Sequence, residues 1–115
     1  MPHFPQTQSQ TRSPRVRVPN NESIRFNLGG RQVSAVLQKI SLTGGLAEFN
    51  VSIGSATLAE MKLNTIAGQV SGLVEFLPSQ DNTPTYPFRF IALSDDDFAR
   101  LSSTIKAMQQ QGFGA

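Results

Sequence analysis

From Glu22 onward apolar and polar residues alternate: Ile24, Phe26 and Leu28 are interleaved with Ser23, Arg25 and Asn27, the period-two pattern of a strand with one face in a core. Gly29-Gly30 follows, suited to the positive φ angles of a two-residue hairpin turn. Gln32 to Ile40 resumes as a strand, with Val33, Ala35 and Leu37 on one face and Val36 and Ile40 on the other. Ser41-Leu-Thr-Gly-Gly45 reads as a tight loop and Leu46 to Val51 as a third strand. Past a break at Gly54-Ser55, Thr57–Leu63 predicts a fourth strand whose apolar residues are Leu58, Met61 and Leu63, with Asn64-Thr65 as a hairpin turn. Ile66 to Leu77 is a fifth; Gly68 and Gly72 share a face with Ile66, Val70, Val74 and Phe76, and mark a bulge, a bend or a close backbone approach. After the polar loop Pro78–Pro84, Tyr86 to Leu93 predicts a sixth strand with Phe88, Phe90 and Ala92 on one face.

The period then changes. Ser94 followed by Asp95, Asp96 and Asp97 reads as an N-cap and an acidic first turn. Phe98, Leu101, Ile105 and Met108 recur at helical spacing, which predicts an amphipathic helix over 95–111 that stops at Gly112. Six strands and a terminal helix predict a mainly all-β fold, an antiparallel barrel with the helix packed against it. Residues 1–11 are too poor in apolar side chains to order themselves by burial and read as a flexible tail. Arg12 to Pro19 alternates basic and apolar residues between prolines, as an extended arm would. One domain over 12–111 follows, with the arm at 12–19.

Composition narrows the function. The 115 residues suit a single domain, and 38% apolar content can fill one core. A net charge of +2 does not by itself imply a nucleic-acid partner. The charge is uneven, however: five arginines lie between Arg12 and Arg31 with Glu22 as the only acid, a local patch suited to anions. There is no cysteine, and His3 is the only histidine, which removes disulfides, thiolate or histidine metal sites and the common nucleophile–base arrangements. No apolar run approaches the roughly 20 residues of a membrane helix, and the opening residues lack the features of a signal peptide; a cytoplasmic protein without membrane insertion is expected.

Three features have structural readings. Asp95–Asp97 are consecutive, whereas calcium loops space their acids, so capping explains them. Tyr86, Phe88 and Phe90 have only Arg89 as a basic neighbour, which favours core packing over a base-stacking platform. Glu48, Glu60 and Glu75 alternate toward solvent, and no pair of carboxylates is set for acid–base work. The expectation is a binding protein, not an enzyme, with no metal, no cofactor and no nucleic-acid partner.

Two segments carry candidate chemistry. Arg12-Ser-Pro-Arg15-Val-Arg17-Val presents guanidiniums that can hold phosphate through paired hydrogen bonds, or bond guanine O6 and N7; the alternative is a solvated basic arm. Lys39-Ile-Ser41-Leu-Thr-Gly44-Gly-Leu ends a strand in a hydroxyl and glycines, which exposes backbone N–H groups to a ligand; it could equally be an ordinary turn.

Together they resemble the PilZ domain family. Arg15 stands as the second arginine of that family's RxxxR arm. Lys39-Ile-Ser41-Leu-Thr-Gly44 matches its [D/N]xSxxG motif in spacing, and Ser41 and Gly44 match in identity. Gly54, Phe88-Arg-Phe90 and the closing helix extend the resemblance over about residues 12–108. It implies a six-stranded antiparallel PilZ-type β-barrel with a C-terminal amphipathic α-helix, a bacterial receptor that binds the second messenger cyclic di-GMP and relays it to an unidentified protein partner. The ligand-binding residues it implies are Arg12, Arg15, Lys39, Ser41 and Gly44. The chain departs from the pattern twice: Thr11 stands four residues before Arg15, with Arg12 one position late, and Lys39 replaces the Asp or Asn. An ammonium has only donors, so Lys39 would bond O6, N7 or phosphate and alter the recognition. The second reading is a degenerate PilZ domain that has lost the ligand and serves as a protein–protein interaction module.

Overall fold

In the computed structural model, which describes residues 2–3, 15–18, 22–51, 53, 58–79 and 84–112, strands precede a single helix. In chain order they are β1 (Pro2–His3), β2 (Val16–Arg17), β3 (Ser23–Leu28), β4 (Arg31–Ile40), β5 (Gly44–Glu48), β6 (Leu58–Thr65), β7 (Gly68–Phe76), β8 (Thr85–Ser94) and α1 (Asp95–Gln110). All pairings are antiparallel. β4 lies between β3 and β5, β5 pairs β8, β8 pairs β7, β7 pairs β6 and β6 returns to β3. Six strands among the described residues thus close a barrel, which leaves no free edge around the ring.

The two short strands are additions. β1 sits against the end of β8, with Pro2 opposite Ser94. β2 sits against the end of β4, with Val16 opposite Ile40, on the side that β3 occupies farther along. Pro2 and His3 fall in the segment expected to be a flexible tail; the rest of that segment, together with Arg12 and Gly54, lies outside the described residues.

Alternation drives the inward faces. Ile24, Phe26 and Leu28 of β3 and Ala59, Met61 and Leu63 of β6 are buried. Phe26 meets Phe49, Phe76 and Phe88 at ring separations of 4.9–5.5 Å, pairs worth about 0.5–1.5 kcal/mol each beyond their buried area. Gly29 and Gly30 take φ of 59° and 91° in the β3–β4 hairpin, and the Gly30 amide donates to Asn27 Oδ1 at 2.8 Å. Gly72 is a close approach, since a Cβ there would lie 2.5 Å from Leu93 Cδ2.

Several sequence expectations are corrected. Ile40 is not opposite Leu37 in facing: both are 2% exposed, because a register shift between Leu37 and Lys39 makes Gln38 the extra residue of a β-bulge. A second shift, across Ile91 of β8, turns Leu93 into the core in place of Ala92. The β6–β7 turn is Ile66-Ala67, two residues later than the pattern suggests. Gly68 adopts φ 119° there, and the Thr65 hydroxyl accepts from the Ala67 amide and donates to the Gly68 carbonyl. Ile66 is therefore 78% exposed, and Leu58, at 54%, also faces out. β5 begins at Gly44, inside the segment read as a loop, because Gly44 and Gly45 pair with Arg89 and Phe88.

Ser94 caps α1, accepting from the Asp97 amide at 3.1 Å and donating to Asp97 Oδ2 at 2.6 Å. The helix buries Leu101, Thr104 and Ile105, and Phe98 and Met108 pack half-buried beside them. Two polar links dock it on β7: the Ser71 amide donates to Asp97 Oδ1 at 3.0 Å, and Arg100 Nε donates to the Gln69 carbonyl at 2.9 Å.

Candidate functional site

The site is built where the arm meets the end of β4. Val16 is fully buried, so Arg15 and Arg17 on either side of it point outward, and both are exposed. The Val18 amide donates to the Gln38 carbonyl at 2.9 Å, which holds the arm against β4. Arg17 stands directly opposite Lys39, and Arg15 adjoins Val16, which is opposite Ile40, the residue before Ser41. The bulge at Gln38 aims Lys39: regular alternation from buried Leu37 would turn Lys39 inward, and the extra residue puts it on the outer face instead.

The Ser41–Gly44 turn follows. The Ser41 amide donates to the Gly44 carbonyl at 2.7 Å. Ser41 is buried, and its Oγ accepts from the amides of Thr43 and Gly44 at 3.2 and 3.3 Å. The Phe90 amide donates to the Thr43 carbonyl at 2.9 Å, pinning the turn to β8. A Cβ on Gly44 would collide with the Phe88 carbonyl oxygen and lie 2.9 Å from Arg89 Cα, both backbone atoms. Ser41 and Gly44 therefore shape the turn, through an internal hydroxyl and a missing side chain.

Of the residues the sequence singles out, Arg15, Lys39, Ser41 and Gly44 come together; Arg12 lies outside the described residues. Arg17 joins them, and motif spacing did not single it out. Its signal was the alternation of the arm combined with the register of β2 on β4. Among the described residues no hydrogen bond or ion pair engages the side chains of Arg15, Arg17 or Lys39, whereas Arg89 pairs with Glu75 at 2.5 Å and Arg100 with Asp97 at 3.2 Å. Three side chains that only donate, beside a tight turn, suit an anion such as phosphate or the O6 and N7 edge of guanine.

Other candidates resolve structurally. Phe88 and Phe90 are core residues, and Tyr86 packs edge-on against Phe49. Asp97 belongs to the helix cap. The groove lined by Ser23, Ser34, Val36, Glu48 and Asn50 lies farther along β4 and carries one acid and no cation. Among the described residues no group of three or more His, Asp or Glu could hold a metal ion, and no helix is long and apolar enough to cross a membrane.

No protein-family model matches the chain, and no curated protein matches it in sequence. Solved structures do match its fold. One is the PilZ domain with c-di-GMP of YcgR from Escherichia coli, at TM-score 0.69 and 16% identity, covering 90% of this chain and 95% of that one. Another is the Borreliella burgdorferi PlzA protein in complex with c-di-GMP, at TM-score 0.58 and 14% identity; it covers 84% of this chain, which spans half of the PlzA chain.

Proposed function

We propose that this chain, which has the PilZ-type fold, is a non-catalytic receptor domain for cyclic di-GMP that relays the messenger to a partner protein in the bacterial cytoplasm. The observation that carries the reading is the seating of the arm. In a fold shared with two structures that contain c-di-GMP, Val16 anchors β2 against β4, so that Arg15 and Arg17 face outward beside Lys39 and the Ser41–Gly44 turn. Arg15 would hold a phosphate or the O6 and N7 edge of a guanine, Lys39 would add a donor, and the turn would supply backbone where Ser41 and Gly44 keep it tight. Arg12 is proposed as a further arm contact. Ligand bridging the arm and the barrel would bias the arm toward one seating, and that changed surface is what a partner would read.

Lys39 favours a second reading. A cation replaces the acceptor at that position, and the hydroxyl of Ser41 is spent inside its own turn, as in a domain that has given up the ligand for protein binding. Calorimetric titration with cyclic di-GMP separates the two. The receptor reading expects micromolar binding that disappears in Arg15→Ala, an exposed change that should leave stability within about 0.5 kcal/mol. Absence of heat up to about 1 mM ligand, where even a binding free energy of roughly −4 kcal/mol would register, selects the interaction module.

A further inference from the structure

We infer that Arg17 and Lys39 form a two-cation clamp for one phosphate group of the ligand, an inference that rests on the proposal that this face takes a cyclic dinucleotide. Directly opposite residues of an antiparallel pair hold their Cβ atoms about 4.5–5.5 Å apart, and like charges there destabilise the sheet. Arg17 and Lys39 are such a pair, both on the outer face. Without the Gln38 bulge Lys39 would turn inward; with it, Lys39 shares the outer face with Arg17 across the β2–β4 pair. The acid placed diagonally by the register, Glu48, accepts from Gln38 Nε2 at 3.4 Å and forms no ion pair with Lys39. Among the described residues neither cation has an ion-pair or hydrogen-bond partner, the ion pairs lying at Arg89–Glu75 and Arg100–Asp97, and an anion seated between the two cations would supply one. Phosphate fits this pair, because its oxygens can take the guanidinium fork and the ammonium together.

Arg25 and Lys62 provide an internal comparison. They too stand opposite one another across β3 and β6, with Glu60 diagonal to Arg25 as Glu48 is to Lys39, but what adjoins Arg17 and Lys39 is a further outward cation on the arm, Arg15, and the Ser41–Gly44 turn. The clamp is therefore expected at Arg17–Lys39 and not at Arg25–Lys62.

The test uses the full chain and two ligands. Inorganic pyrophosphate, titrated alone and followed by amide chemical shifts, should move the signals of Arg17, Lys39 and their neighbours saturably; the response should vanish in Lys39→Ala and persist in Arg25→Ala. Cyclic di-GMP, titrated by calorimetry, should bind about tenfold more weakly to Arg17→Ala and to Lys39→Asp, the loss of a charge-assisted bond. Lys39→Asp is the sharper variant, since it restores an acceptor that could read guanine N–H groups while pairing off Arg17. Unchanged or tighter binding in Lys39→Asp would overturn the clamp, as would a pyrophosphate response no stronger at Arg17–Lys39 than at Arg25–Lys62. Failure of cyclic di-GMP to bind the wild-type chain while the pyrophosphate response stands would remove the receptor reading alone and leave the clamp for another phosphate-bearing ligand.

Discussion

At the scale of single residues, burial by itself would raise the pKa of Asp97. Bonds from the Ser94 hydroxyl, the Ser71 amide and Arg100, together with the Arg100 charge, outweigh it and hold the carboxyl below its ordinary value. A depressed carboxylate stabilises the fold fully above its unfolded pKa of about 3.9 and loses that contribution as pH falls through the folded value. Asp97→Ala should therefore cost about 1–2 kcal/mol at neutral pH, through the lost bonds that its carboxylate accepts from the Ser94 hydroxyl, the Ser71 amide and Arg100. The gap from wild type should narrow below about pH 4. Urea unfolding at both pH values checks this, and an equal gap at each would contradict it. Gly44 poses a different constraint. Because a Cβ there meets the Phe88 and Arg89 backbone, Gly44→Ala should destabilise by about 1–3 kcal/mol or more with or without ligand, as thermal melting would show. Loss of binding in that variant would report on the turn, not on a contact.

Among the elements, β4 shows what the sequence could and could not reveal. Its period-two pattern is plain from Gln32 to Leu37, and the Gly29-Gly30 turn that starts it is plain too. Then Gln38 interrupts the count, and a bulge has no fixed residue signature when the extra residue is an ordinary polar one. Simple alternation accordingly placed Ile40 outside, although it is 2% exposed. The same fault at Ile91 exchanged Ala92 for Leu93. Both bulges are set by pairing partners distant in sequence, which is why local pattern could not locate them. The helix was easier: its cap, its acidic first turn and its apolar spacing are all local, and α1 runs from Asp95 to Gln110. Ile40→Ala tests the bulge directly. It should cost about 2–4 kcal/mol by urea denaturation, while Val36→Ala, on the half-exposed face, should cost about 1 kcal/mol or less. A small loss at Ile40 would mean that the bulge is misplaced.

For the whole molecule, barrel closure fixes the relation between the end of β4 and the turn to β5, and the arm adds a strand beside them. The site is legible in sequence as two separated segments, Arg12–Val18 and Lys39–Gly44. Their meeting is a matter of tertiary register: only the pairing of Val16 with Ile40 and of Arg17 with Lys39 shows which arginine faces which motif residue. Arg17 belongs to the basic arm in sequence, and its place opposite Lys39 is visible in that register alone. The cyclic di-GMP reading depends on this meeting, since among the described residues neither segment alone presents three unpaired cations on one face. Amide chemical-shift mapping of the full chain during titration with cyclic di-GMP tests it most directly. The reading predicts saturable shifts confined to Arg15–Val18 and Lys39–Gly45, with smaller changes along the facing part of β8. Shifts that centre on the Arg25–Lys62 face, or no shifts at millimolar ligand, would contradict it.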